Sequence, residues 1–153
     1  MDIKIIKGDL LEQYVEVIVN PWNRNLFPWW LLIPQGVSGA IKKKAGLEPF
    51  KQLQSRGLLS LGEAVLTTAG KLNYKGIIHV AGINLFWTAT ENSIRLSTYN
   101  AIKLAEKNEF ISIAFPLIGA GTGRFKKEKV IQIMNEEINK LLTDIKIVLV
   151  IKE

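Results

Sequence analysis

The chain has no cysteine and only one histidine among its 153 residues. Without cysteine there is no disulfide framework and no thiolate chemistry, which agrees with a reducing compartment. One histidine and scattered acids give no metal-ligand spacing, so no metal and no other cofactor is expected. No apolar run approaches the roughly 18 residues that a membrane-spanning helix needs. The opening Met-Asp-Ile-Lys-Ile-Ile-Lys-Gly alternates like a strand, so no secretory leader is expected there. The expected location is therefore the cytoplasm, with no membrane partner. Repeats, low-complexity segments and linkers are also missing, so a single domain over residues 1–153 is expected, long enough for a full core.

Hydrophobic residues make up 48% of the chain and charged residues 22%, the balance of a globular protein. Lys and Arg number 20 against 14 Asp and Glu, a formal charge of +6. That excess favours anionic partners such as nucleotides, nucleic acid or modified proteins, and it equally serves solubility. The densest cluster, Lys42-Lys43-Lys44, fans round one turn of a helix and reads as a solvated face.

Strand and helix patterns interleave along the chain. Period-two or continuous β-branched runs predict strands over 2–7, 15–19, 63–69, 76–81, from Ile111 to the Pro116 break, and 145–151. Helical spacing groups Val37, Ala40, Ile41 and Ala45 on one face, with Gly46 closing that helix. A short helix follows over 48–56. Thr90 or Asn92 caps a third helix with Ile94, Thr98, Ala101, Ile102 and Ala105 on its apolar face. A fourth starts near Lys126 and presents Val130, Met134, Ile138 and Leu141. This pattern predicts an α/β fold, a three-layer α/β/α sandwich with a mixed, largely parallel central sheet.

Two glycine-bearing turns stand out. Residues 111–125 run from a buried strand through Gly119, Gly121 and Gly123 into a helix. Glycines allow close backbone approach, and the amides of the loop and the helix start point at negative charge. A tight turn alone would need one glycine. The phosphate-loop pattern fails for lack of a following Gly-Lys-Ser/Thr. The dinucleotide fingerprint fails because Arg124 occupies the third glycine position. The second turn, Gln35-Gly36-Val37-Ser38-Gly39, also leads into a helix, so the pair could hold a diphosphate from two sides.

Other polar positions fall beside these turns. Asp9, just past the first strand, is either a ligand-facing acid or the cap of a short turn. Asn20, Asn23 and Asn25 follow the second strand, as turn formers or as hydroxyl binders. His79, inside Ile-Ile-His-Val, reads as a satisfied core residue. Residues 26–33, which include Phe27, Trp29 and Trp30, pack on the core or else wall a ligand or partner. Ligands in such sheets sit beyond the carboxyl ends of the strands, where Asn20 and both glycine turns would meet.

Six elements follow one another along the chain: Gly8-Asp9-Leu10, Ile18-Val19-Asn20-Pro21-Trp22-Asn23, Gly36-Val37-Ser38-Gly39-Ala40-Ile41, Gly62-Glu63-Ala64-Val65 with Thr67, Ile78-His79-Val80, and Phe115-Pro116-Leu117-Ile118-Gly119-Ala120-Gly121. In this order and spacing they resemble the macro domain, the ADP-ribose-binding fold. The resemblance implies that Asp9 accepts from the adenine amine beside the Leu10 backbone, that Asn20 organises its loop, and that Asn23 faces the distal ribose. It implies one phosphate on the turn of Gly36, Val37, Ser38 and Gly39. The other phosphate and the ribose edge would lie on Gly119, Ala120, Gly121, Thr122 and Gly123, with Phe125 close by. The chain departs from the family pattern by reading Asn-Pro-Trp-Asn for Asn-Ala-Ala-Asn. It also carries the aromatic insert, and Ser38 stands where the commonest hydrolase branch has an aspartate that positions water.

Two functions are implied. One is an ADP-ribosyl glycohydrolase that frees ADP-ribose from modified protein or nucleic acid, with Asn23 and Ser38 as its catalytic residues. It passes through an oxocarbenium-like state, and a serine there is no general base. The other is a non-catalytic ADP-ribose reader. The enzyme is taken first because no attached effector is evident, not because of any residue. A basic single-strand nucleic-acid binder using the tryptophans is a third reading, opposed by their lack of alternation with Lys or Arg.

Overall fold

The computed structural model describes residues 2–25, 36–83, 89–120 and 125–152. Its elements are β1 (Asp2–Lys7), a single 3-10 turn (Leu10–Glu12), β2 (Val17–Trp22), α1 (Gly36–Ala45), α2 (Glu48–Gln54), β3 (Ala64–Thr67), β4 (Gly76–Ala81), α3 (Glu91–Lys107), β5 (Ser112–Pro116), α4 (Lys127–Asn139) and β6 (Lys146–Ile151). The six strands form one sheet in the order β1-β6-β5-β2-β4-β3. Only β3 runs antiparallel to its neighbour β4, while every other pairing is parallel. Helices cover both faces, as the expected three-layer mixed sandwich requires.

Alternation along the strands splits the core into two clusters. Val17 and Val19 of β2, Ile113 and Phe115 of β5, and Ile147 and Leu149 of β6 pack with buried residues of α3 and α4. Ile18 and Trp22 of β2, Ile77 and Ala81 of β4, and Ala114 of β5 pack with Ile41 and Ala45 of α1 and with Phe50 and Leu53 of α2. Thr90 caps α3, its side chain accepting from the Ser93 amide while the Ser93 hydroxyl accepts from the Thr90 amide. Outside the core, Arg95 of α3 reaches Glu91 and Glu136 at 2.7 Å each and so ties α3 to α4. Hydrogen bonds from Arg95 hold the Glu136 carboxyl below its ordinary range.

Several boundaries differ from expectation. β2 begins at Val17, not Val15, because side chains hold the residues before it. The Glu16 amide donates to Ser112 Oγ at 2.8 Å, and the Glu16 carboxylate pairs with Lys75 and accepts from the Ile111 amide. The same strand continues through Pro21 to Trp22. Pairing of β2 with β5 ends at Ile18 opposite Ala114, so the proline lies where β2 pairs only with β4. β3 is confined to four residues. On α1, Ile41 and Ala45 are buried but Ala40 is exposed, and Ser38 turns inward instead. Leu141 lies just past the end of α4, although it still joins the core.

Candidate functional site

The sheet opens at one place. Beyond the Ile18–Ala114 pair β2 follows β4 as far as Trp22 opposite Ala81, while β5 follows β6 as far as Pro116 opposite Val150. The carboxyl ends of these two central strands therefore part, which is where open α/β sheets take ligands. The segments after the two strands carry the two glycine turns.

Ser38 fixes the start of α1 over β2. Its hydroxyl lies 2.7 Å from Asn20 Oδ1 and 2.9 Å from the Pro21 carbonyl oxygen. The first amides of a helix have no partner within it, so anchoring α1 here presents N–H groups at the end of β2. Gly36 has φ +59°, a left-handed backbone that suits glycine, and a Cβ there would meet nothing within 4 Å. An open concavity of about 450 Å³ adjoins it, lined by Gly36, Gly39, Ala40, Lys42 and Lys43. Lys42 also lies 5.0 Å from the Phe50 ring centre, so the lysine run is not uniformly a solvated face.

Gly119 is constrained differently. Its φ is +87°, and a Cβ would stand 2.9 Å from Ala89 Cβ and 3.2 Å from Ile94 Cδ1. Packing against the start of α3 alone demands glycine here. The turn is closed by the Phe125 amide, which donates to the Gly119 carbonyl at 2.9 Å. The side chains of Ala120 and Phe125 pack against the α3/α4 cluster. Gly121, Thr122 and Gly123 lie outside the described residues, as does the aromatic insert with Phe27, Trp29 and Trp30.

Asp9 is exposed and caps the 3-10 turn, with Oδ1 accepting from the Leu11 amide at 2.9 Å. Leu10 is buried in the α1/α2 cluster. The three asparagines divide. Asn25 is a turn former at φ +59° whose side chain accepts from Trp22 Nε1 and donates to the Leu53 and Gly57 carbonyls, all at 2.8 Å. Asn20 is wholly buried, with Nδ2 2.9 Å from His79 Nδ1. Asn23 is buried at the end of β2.

His79 is a bonded core residue, as expected. Its Nε2 lies 2.8 Å from Thr67 Oγ1, and its ring meets Phe50 edge-on at 5.6 Å. Burial pushes the imidazole down to about 3, so it is neutral at pH 7. Thr67 was not singled out for this contact from the sequence. The available signal was one polar residue in each of the buried runs Ile18-Asn20-Trp22, Ile77-His79-Ala81 and Val65-Thr67. Only strand adjacency shows that they meet. Among the described residues no acid or histidine cluster could hold a metal ion, and no helix is long and apolar enough to cross a membrane.

Comparison with known proteins points to one family. A macro domain-containing protein of Listeria monocytogenes is 39% identical over 136 residues, 84% of this chain and 73% of that protein. The O-acetyl-ADP-ribose deacetylase of Salmonella newport is 33% identical over 149 residues, 92% of this chain and 79% of that enzyme. A mutant of the Oceanobacillus iheyensis macrodomain, solved with ADPR, matches with a TM-score of 0.82 at 28% identity, covering 97% of this chain and 83% of that one. The Macro domain family model matches residues 19–134, a span that begins inside β2 and holds the whole of α1 with Ser38 and the Gly119 turn. With its parted strands, its two glycine turns and these relatives, the chain belongs to the macro domain family.

Proposed function

We propose that this domain binds ADP-ribose at the carboxyl ends of β2 and β5 and removes it from a modified macromolecule. The observation that carries the reading is the start of α1, held over β2 by Ser38 and led in by the left-handed Gly36. In this reading one phosphate lies on the amides of Val37, Ser38 and Gly39, and the other lies on the turn from Gly119 through Ala120, Gly121 and Thr122 to Gly123. Asp9 receives the adenine amine beside Leu10, and Asn23 faces the distal ribose. Relatives named O-acetyl-ADP-ribose deacetylase and a relative solved with ADPR support the ligand class.

The chemistry is hydrolysis at the anomeric carbon. The water oxygen bonds to that carbon as the bond to the target atom breaks, and the bonding electrons leave with the target. One water proton ends on the departing group or in solvent. Positive charge developing on the ribose is stabilised by the nearby diphosphate. In this reading Ser38 stands where the commonest hydrolase branch of the family carries an aspartate, and it cannot take a proton at neutral pH, so slow turnover is expected. The same residue favours the second reading, a domain that holds ADP-ribose without cleaving it.

Titration calorimetry with ADP-ribose and with AMP tests the binding. A clear preference for ADP-ribose supports it, and equal affinity or no heat with either contradicts it. Release assays on ADP-ribosylated protein and on ADP-ribosylated nucleic acid then separate enzyme from reader.

A further inference from the structure

Four polar side chains form a line across the apolar α1/α2 face: Thr67 of β3, His79 of β4, Asn20 of β2 and Ser38 of α1. Their protons can be assigned one at a time. Thr67 Oγ1 lies 2.9 Å from the Thr68 carbonyl oxygen, which can only accept. The hydroxyl spends its one proton there and must accept from His79 Nε2–H. The ring is buried and neutral, so a proton on Nε2 leaves Nδ1 bare. Asn20 therefore turns its NH2 toward His79 and its oxygen toward Ser38. Asn20 Oδ1 and the Pro21 carbonyl can only accept, so whichever takes the Ser38 proton, that proton points into the protein.

We infer that Thr67 and His79 are positioning residues that hold Ser38 as a hydrogen-bond acceptor toward the bound ligand. The inference rests on the reading of the site as one for ADP-ribose, and it says how that site orients water. A free serine hydroxyl rotates and presents either polarity. Here the buried line removes the choice, and half-buried Ser38 keeps lone-pair capacity on its outer side. An aspartate would show the ligand the same acceptor polarity, with a charge added. Ser38 thus receives a proton of the attacking water as a hydrogen bond and leaves the water's own lone pair for the anomeric carbon. No proton is abstracted.

Because the chain has one histidine, ring-nitrogen NMR reports this line without overlap. The wild-type spectrum should show a single neutral tautomer protonated on Nε2. A ring protonated on Nδ1, or a mixture of tautomers, overturns the inference and needs no variant to do so. Thr67→Val should lower kcat for ADP-ribose release about tenfold at unchanged KM, the scale of one lost orienting hydrogen bond. Thr67→Ser, which restores the hydroxyl, should recover the rate. Thr67→Val added to Ser38→Ala should cost nothing further. Full kcat in folded Thr67→Val, or additive losses in the double variant, would overturn the proposal. If no substrate is turned over by the wild-type protein, the enzyme reading fails by itself. The line itself is then judged by the ring-nitrogen spectrum, where a single ring protonated on Nε2 supports it and any other state overturns it.

Discussion

The two faces of the sheet are built on different rules. On the α3/α4 face the buried side chains of the strands are apolar, from Val17 and Val19 to Ile147 and Leu149. Of the buried hydroxyls of α3, Thr98 bonds to the Ile94 carbonyl and Ser93 to those of Gly82 and Thr90, while Ser97 Oγ finds no partner among the described residues. On the α1/α2 face Asn20, His79 and Thr67 replace apolar residues and bond to one another. A buried polar line is stable only when every member is satisfied, and it then fixes a single arrangement. The first face supplies cohesion. The second trades some cohesion for geometry at the end of β2, where α1 begins.

That contrast can be broken by substitution, and the largest effect belongs to the cohesive face. Phe115→Ala removes a fully buried ring there and should cost about 3–5 kcal/mol in denaturant unfolding. ADP-ribose affinity of the folded fraction should hardly change. A loss of affinity larger than the loss of stability would show that the two faces are not separable.

Acid should act through the polar face. His79 is neutral and buried when folded, at about 3, against 6.5 when unfolded. The unfolded chain therefore binds the extra proton, and the contribution is fully present above 6.5 and lost as pH falls toward 3. The slope approaches about 1.4 kcal/mol per pH unit once the unfolded ring is charged, a loss of roughly 2 kcal/mol between pH 6.5 and 4.5. Unfolding curves of wild type and His79→Gln should differ by that slope, and parallel curves would refute a neutral buried ring.

A smaller effect is expected at the rim of the same face. Asn25→Ala leaves the Trp22 indole and the Leu53 and Gly57 carbonyls without their partner, and it forces alanine to a positive φ. Destabilisation of about 1–3 kcal/mol should appear in thermal melts. Smallest in stability is Asp9→Ala, where losing the cap costs about 0.5–2 kcal/mol. If Asp9 also receives the adenine amine, affinity for ADP-ribose should fall by about 1–3 kcal/mol as well. A lower melting point with native affinity would leave it a cap alone.

Much of the fold was legible because periodicity is a local property. β1 and β4 fall at the expected residues, and the apolar face of α3 is buried as the spacing indicated. The β2 boundaries were not legible, since Pro21 reads as a strand breaker until the missing β5 partner is seen. In the site, the glycine turns were found from sequence, but their causes differ. Gly119 is demanded by contact with Ala89 and Ile94, whereas Gly36 faces open space. Nothing local distinguishes these two cases. The Thr67 contact was invisible because it depends on β3 lying beside β4. Among the asparagines, identical side chains serve a turn in Asn25 and a buried line in Asn20, a division set by backbone position and not by composition.

The claim that the polar face carries the ligand is tested most directly by amide NMR during titration with ADP-ribose. Signals of Val37, Ser38 and Gly39 should move together with those of Gly119 and Ala120, along one binding curve, while those of the outer turns of α4 stay in place. Movement confined to α3 and α4, or no movement at saturating ADP-ribose, would contradict the account.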